Sequence, residues 1–228
     1  MRILAVIPAR GGSKGIPRKN VRDLAGLPLI AYSIKAGQAA SSVDRLVVST
    51  EDGEIASVAL GYGAEVVARP ASLAQDETPT RPVLEHAAKH LAEGGYRPDA
   101  ILTLQPTSPL RTARHIDEAV ALFEADPSAD SLVSCVRVPH HFHPNSVMTR
   151  DADGSLHPFL PEPAITRRQE KGLVFARNGA AIYITRIDRV HDFVFGGRLL
   201  SYEMKMEDSV DIDEEDDFRR AEWRLKTR

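Results

Sequence analysis

The sequence predicts an α/β protein built on a three-layer, mostly parallel twisted sheet. Two observations carry that expectation. Short apolar runs alternate with stretches of helical spacing along most of the chain, the pattern of βαβ units with right-handed crossovers. The first run, residues 3–7, is apolar at every position, as in a strand buried on both faces. Size agrees: 228 residues make one large domain, or one domain with an excursion, and can bury a real core.

The elements follow in order. After the strand at 3–7 comes a glycine-rich polar stretch, residues 10–20. Pro28 then opens a helix with Ile30, Ile34 and Gly37 on one side. Residues 46–50 form the second strand, and Glu51 and Asp52 start another helix, where acidic groups favour the N-terminus. A third strand spans 64–67. The next helix carries Val83, Leu84, Ala87, Ala88 and Leu91 and stops at Gly94-Gly95. Residues 100–104 are the fourth strand, 115–124 a helix and 131–138 the fifth strand. The rhythm breaks at 139–170, which contains Pro139, Pro144, Pro158, Pro161 and Pro163 and cannot be a core helix. That stretch is a linker or an arm that packs elsewhere. Strand pattern returns at 180–184 and 199–204, and a last helix covers 218–225 with Ala221 and Trp223.

Composition excludes several classes. Hydrophobic residues at 43% and charged residues at 27% argue against a disordered chain. A net charge of −3 leaves no positive excess to drive nucleic-acid binding. No apolar run is long enough to span a bilayer, and the chain enters a strand pattern at once without a signal-peptide layout, so a cytoplasmic enzyme is expected. The single cysteine, Cys135, excludes an intrachain disulfide and a multi-thiolate metal site, and reads as a core residue.

Four groups of residues could carry chemistry. Gly11, Gly12 and Gly15 follow the first strand, among Arg10, Lys14, Arg18 and Lys19. Glycines let a backbone approach a ligand closely and its N–H groups form an anion nest, so the loop suits a polyphosphate. Its spacing matches neither Walker A nor the dinucleotide fingerprint, and the plain alternative is a solvated basic turn. Asp211 and Asp213, two apart on an extended segment, would point the same way with Ile212 opposite, an arrangement suited to Mg²⁺. The alternative is that they belong with Glu214 to Asp217 to a solvated helix N-terminus. At the end of strand four, Gln105, Thr107, Ser108 and Arg111 offer an amide, two hydroxyls and a cation where ligands bind in open α/β sheets, or else form a capped turn. Arg167 and Arg168, followed by Gln169, could take a carboxylate or phosphate bidentately. His140, His141 and His143 have no carboxylate or thiol at ligand spacing and read as loop histidines.

Taken together, these blocks resemble a known family. Ile7-Pro8-Ala9-Arg10-Gly11-Gly12-Ser13-Lys14-Gly15-Ile16-Pro17 followed by Lys19-Asn20 is similar to the signature of the acylneuraminate cytidylyltransferases, the CMP-sialic acid synthetase family. So are Val48-Ser49-Thr50-Glu51-Asp52, Gln105-Pro106-Thr107-Ser108-Pro109-Leu110-Arg111, Arg167-Arg168-Gln169, Asn178-Gly179 and Asp208-Ser209-Val210-Asp211-Ile212-Asp213. They occur in family order over nearly the whole chain.

The resemblance implies a nucleotidyltransferase (Rossmann-like) fold with a small dimerisation arm. Residues 1–138 and 171–228 would be the nucleotidyltransferase domain, and 139–170 an arm protruding to a partner in a homodimer. It implies transfer of CMP from CTP to the anomeric hydroxyl of a nonulosonic acid, with Mg²⁺ and release of pyrophosphate. By position, Arg10, Gly11, Ser13, Lys14, Lys19 and Asn20 would cradle the CTP phosphates and ribose, while Arg69, Thr78 and Thr80 would contact the base. Gln105, Arg167, Arg168, Gln169, Asn178 and Tyr183 would form the sugar site, with an arginine on the carboxylate. Asp211 and Asp213 would bind the metal, and these two with Lys14 and Arg168 would carry catalysis. Other readings are a nucleotidyltransferase for a different sugar or base, or a non-catalytic nucleotide-binding protein; the presence of Lys14, Asp211 and Asp213 argues against the latter.

Overall fold

The computed structural model describes residues 1–12, 15–160 and 171–227. Within them the chain forms β1 (Ile3–Pro8), β2 (Asp23–Leu24), β3 (Leu27–Pro28), α1 (Leu29–Ala39), β4 (Arg45–Thr50), α2 (Gly53–Gly61), β5 (Glu65–Ala68), α3 (Thr80–Glu93), β6 (Ala100–Thr103) and α4 (Ala113–Glu124). Then follow β7 (Ser131–Arg137), β8 (Met148–Arg150), β9 (Leu156–Pro158), β10 (Phe175–Arg177), β11 (Tyr183–Arg186), β12 (Leu199–Glu203) and α5 (Glu215–Thr227).

The uniform apolarity of β1 has a direct structural cause. Successive side chains of a strand point to opposite faces. Ile3, Ala5 and Ile7 pack with Ile30 and Ile34 of α1, Ile55 of α2 and Ile116, Val120 and Phe123 of α4. Leu4 and Val6 pack on the other face with Leu84, Ala87 and Leu91 of α3 and with Val190. The sheet is therefore the middle of three layers, as its sequence predicts. Gly37 fits the first of these layers closely, since a Cβ there would lie 2.3 Å from Leu46 Cδ1.

β1 pairs parallel with both β4 and β6, and β4 with β5. Beyond β6 the order continues through β11 to β7, and both neighbours meet β11 antiparallel. β12 pairs parallel with β7. The N–H groups of Ser134 and Val138 donate to Ile182 and Val174 at 2.8 Å each, so β10 and β11 run along one edge of β7, opposite β12. The reversal at β10 and β11 sends their connecting turn toward the carboxyl ends of the parallel strands, where ligands bind in such sheets.

Helix ends follow their local chemistry. Asp52 caps α2, accepting from the N–H groups of Glu54 and Ile55. Thr112 and His115 form a reciprocal capping box at α4. α5 packs through Phe218 and Ala221 against Ile16, Leu24, Leu29 and Ile212, so the last helix is pinned to the loop after β1.

Among the described residues, the stretch after β7 contains two short 3₁₀ turns and the hairpin β8–β9 before the chain returns at β10. It bears many of the exposed large apolar side chains among the described residues, including Phe142, Met148, Leu156, Phe159, Leu173 and Phe175. Among the described residues, no helix is long and apolar enough to cross a membrane.

Candidate active site

The loop after β1 needs its glycines for contact. A Cβ on Gly11 would lie 2.4 Å from Asp52 Oδ2, and one on Gly15 would lie 2.5 Å from the carbonyl oxygen of Asp213. Neither gap admits a side chain, so the loop lies directly on the start of α2 and on the segment before α5. Lys19 closes the second contact. Its Nζ donates to the Ile212 carbonyl at 2.6 Å and stands 3.6 Å from Asp213 Oδ1. The early cationic loop and the late carboxylates thus meet, although nearly 200 positions separate them.

Beside this junction is a cavity of about 410 Å³. Arg10, Gly15, Lys19 and Asn20 line it from the loop, Arg69, Asp76 and Thr78 from the segment after β5, and Thr80, Gln105, Thr107 and Asp213 from the far side. Asn20 is buried and its Nδ2 donates to the Arg10 carbonyl at 2.9 Å, which fixes the loop from within. Arg10 Nη1 donates to Asp76 Oδ1 at 2.7 Å across the mouth. A second cavity of about 370 Å³ adjoins the first and shares Thr80 and Gln105 with it. Its wall includes Arg81, Arg177, Gly179, Tyr183, Val194 and Phe195. Arg177 donates to the Tyr183 hydroxyl at 3.3 Å and lies 4.4 Å over the Phe195 ring.

The two aspartates occupy different surroundings. Ile212 is fully buried in the α5 cluster, which turns its neighbours toward the cavity side. Asp213 is largely exposed, whereas Asp211 is half-buried. Its carboxyl packs over Gly179, where φ is +72° and a Cβ would fall 2.3 Å from Asp211 Oδ2. Burial pushes the Asp211 carboxyl above the usual carboxylate range, Thr107 opposes this by donating a hydrogen bond, and the charge of Asp213 adds to the upward push. Asp211 Oδ1 is buried without a partner.

Several residues stand apart from their expected places. Arg18 turns away from the cavity and pairs with Asp52 and Glu54 at the start of α2. Ser108 and Arg111 are buried beneath the site rather than facing it. Arg111 donates to the carbonyls of Gln105 at 3.4 Å and Ala181 at 2.8 Å and to Ser33 Oγ at 2.6 Å, with burial pulling its pKa down to about 9. Asn178 lines neither cavity. Its amide donates to Ser209 Oγ at 2.9 Å and accepts from Ser134 Oγ at 2.7 Å, tying β7 to the segment that carries Asp211. His143 is bonded within its own loop, to Asn145 N–H and the Gly172 carbonyl. Ser13, Lys14, Arg167, Arg168 and Gln169 lie outside the described residues. Asp76, Arg81, Arg177 and Phe195 line the cavities without having been expected there, and Glu51, expected as a helix start and a motif position, instead supports Gly11 and Arg69.

This arrangement presents a polyphosphate-sized cationic cleft joined to a second, more apolar one. A model of the family described as "Cytidylyltransferase" matches residues 4–186. The chain belongs to the cytidylyltransferase family. It is 37% identical over 224 residues to N-acylneuraminate cytidylyltransferase A of Danio rerio, a match covering 98% of this chain and 50% of that protein. It is 40% identical over 157 residues to CMP-N,N'-diacetyllegionaminic acid synthase of Legionella pneumophila, covering 68% of this chain and 66% of that one. Post-translational flagellin modification protein B of Campylobacter coli is 33% identical and matches 98% of this chain and 95% of its own length. The chain spans about half the length of the N-acylneuraminate cytidylyltransferases it matches. Among solved structures, a CMP:2-keto-3-deoxy-manno-octonic acid synthetase complexed with CTP superposes with a TM-score of 0.75 at 16% identity, over 100% of this chain and 99% of that one. At that identity the likeness concerns the fold.

Proposed function

We propose that this cytidylyltransferase-family chain moves CMP from CTP to the anomeric hydroxyl of a nonulosonic, sialic-type acid and releases pyrophosphate. The observation that carries the reading is the junction of Gly15 and Lys19 with Ile212 and Asp213 beside two adjoining cavities. The larger cavity would hold CTP. Arg10 and Lys19, with Gly11, Ser13 and Lys14 of the same loop, would meet the phosphates and Asn20 the ribose, while Arg69, Thr78 and Thr80 would meet the base. The second cavity would hold the acceptor against Gln105 and Tyr183. Arg167, Arg168 and Gln169 would recognise its carboxylate, and Asn178 would act by holding the strand ends in place. Names of the similar proteins, which include N-acylneuraminate and diacetyllegionaminate enzymes, support this acceptor class.

In the reaction the acceptor oxygen forms a bond to the α-phosphorus, the bond from that phosphorus to the bridging oxygen breaks, and the hydroxyl proton departs. The chain's cations would neutralise the oxygens that shield the phosphorus, and the shared wall of Gln105 and Thr80 would set the two substrates in line. Asp211 and Asp213 fit a divalent cation, which we take as Mg²⁺. Both offer hard oxygen donors, and the buried, unpartnered Asp211 Oδ1 lacks the counter-charge such an ion would supply. The ion would add charge neutralisation at the α-phosphate and at the departing pyrophosphate. A homodimer joined through the 139–170 arm accounts for the apolar side chains exposed there, and a cytoplasmic location suits a CTP-dependent enzyme.

The test is pyrophosphate release from CTP with a panel of nonulosonic acids. Wild-type protein should turn over at least one of them. Asp211→Ala should retain its fold by circular dichroism and lose roughly 10²–10³-fold in kcat. Failure of every acceptor, or full Mg²⁺-supported activity in the variant, would overturn the reading.

A further inference from the structure

Glu51 is the first residue after β4 and stands behind Arg69, which lines the larger cavity. One of its oxygens, Oε1, accepts the Gly11 N–H at 2.7 Å. The other, Oε2, accepts from Arg69 Nε at 2.9 Å and forms an ion pair with Nη2 at 2.9 Å. The Arg69 side chain is only 4% exposed, and its position there depends on a partner of opposite charge. A single carboxylate thereby joins the loop after β1 to the segment after β5.

The consequence lies in what remains of the guanidinium. An arginine has five N–H donors in a rigid plane. Glu51 takes the Nε edge, and turning the plane away would break the Nε hydrogen bond and the close Nη2 ion pair. The Nη1 and Nη2 end remains, and Arg69 lines the cavity. Two parallel donors match two adjacent acceptors. Cytosine presents such a pair, N3 and O2, whereas uracil carries a hydrogen on N3 and would set donor against donor.

We infer that Glu51 is a positioning residue for base selection: it holds Arg69 so that the free end of the fork accepts cytosine and rejects uracil. This rests on the reading of the cavity as a CTP site. Because Glu51 also holds Gly11, the same carboxylate aligns base and phosphate recognition.

The experiment compares CTP with UTP at saturating acceptor, in wild-type protein and in Glu51→Gln, Glu51→Asp and Arg69→Lys, each checked for fold by thermal melting. Wild type should prefer CTP. Glu51→Gln, similar in size but without the charge, should lower the ratio of kcat/KM for CTP over UTP by about tenfold or more, mainly through a higher KM for CTP. Glu51→Asp, a methylene shorter, should lower it as well and serves if Glu51→Gln does not fold. In the Arg69→Lys background the Glu51 change should leave the ratio unmoved, since the effect passes through Arg69. A folded Glu51 variant that retains the wild-type ratio overturns the inference, as does a full effect in the Arg69→Lys background. A wild-type protein that neither uses nor binds CTP overturns the underlying functional reading instead.

Discussion

Asp52 serves two purposes at one point. It caps α2, and it takes the Arg18 guanidinium, with its carboxylate occupying the space that Gly11 leaves open. The Arg18 hydrogen bond is the main reason its pKa is held down to about 2. A carboxyl depressed on folding stabilises above its unfolded pKa and loses that contribution as the pH falls through the folded value. Asp52→Ala should therefore cost about 1–2 kcal/mol near neutral pH, mostly as a lost cap. The pair itself adds little, because Arg18 is 43% exposed. In urea titrations the gap between variant and wild type should narrow as the pH approaches 2; a gap independent of pH would count against this account. At this scale the sequence reveals charge but not direction. Arg10, Lys19 and Arg18 share one loop, yet two line the cavity and the third faces Asp52 and Glu54. What stands opposite each arginine comes from distant chain and could not be read locally.

Arg111 shows the same limit between elements. Its motif position suggested a ligand contact, but it braces the carbonyl after β6 against the carbonyl at Ala181, just before β11. Lysine cannot reproduce that fork, so Arg111→Lys should lower stability by roughly 2–4 kcal/mol, measured by chemical denaturation. An unchanged midpoint would show that the brace is dispensable. The βα alternation through β1, β4, β5, β6 and β7 was legible because β1, β6 and β7 are buried nearly throughout and the helices between carry a single apolar side. Residues 180–184 show where hydrophobicity misleads. Ala180, Ala181 and Ile182 are buried, but they form the bend after Gly179, and β11 begins only at Tyr183. Apolarity reports burial there rather than extension. β2 and β3 have two residues each, around Ala25 and Gly26 at positive φ, too short to show a period. β8, β9 and β10 are exposed three-residue strands with no alternation to detect.

At the scale of the whole molecule, the apolar surface is concentrated after β7. Phe142, Phe159 and Leu173 are 64%, 58% and 62% exposed, unlike the buried core of the sheet. Clustering of exposed apolar side chains in one segment of chain is what an association surface would require. If the proposed homodimer forms through this segment, Phe159→Glu combined with Leu173→Glu should turn a wild-type dimer into a monomer in sedimentation equilibrium while the melting temperature of the sheet domain is retained; a monomeric wild type would overturn the proposed dimer. A dimer that survives both changes would place the interface elsewhere. The composition gave little warning of this, because a proline-rich stretch reads alike as linker or as arm. Which of the two it is depends on a surface that the sequence does not arrange.

The chain leaves the sheet at Val138 and comes back at Val174, and a main-chain hydrogen bond of 2.8 Å joins those two points. Such a detour works as a cartridge. Its ends are fixed to each other, and lengthening it adds little closure entropy, so an insert could be exchanged without altering the strands on either side. Under the proposed function, triphosphate handling would stay with the parallel strands, while choice of acceptor and of quaternary partner could diversify on a separately replaceable piece of chain.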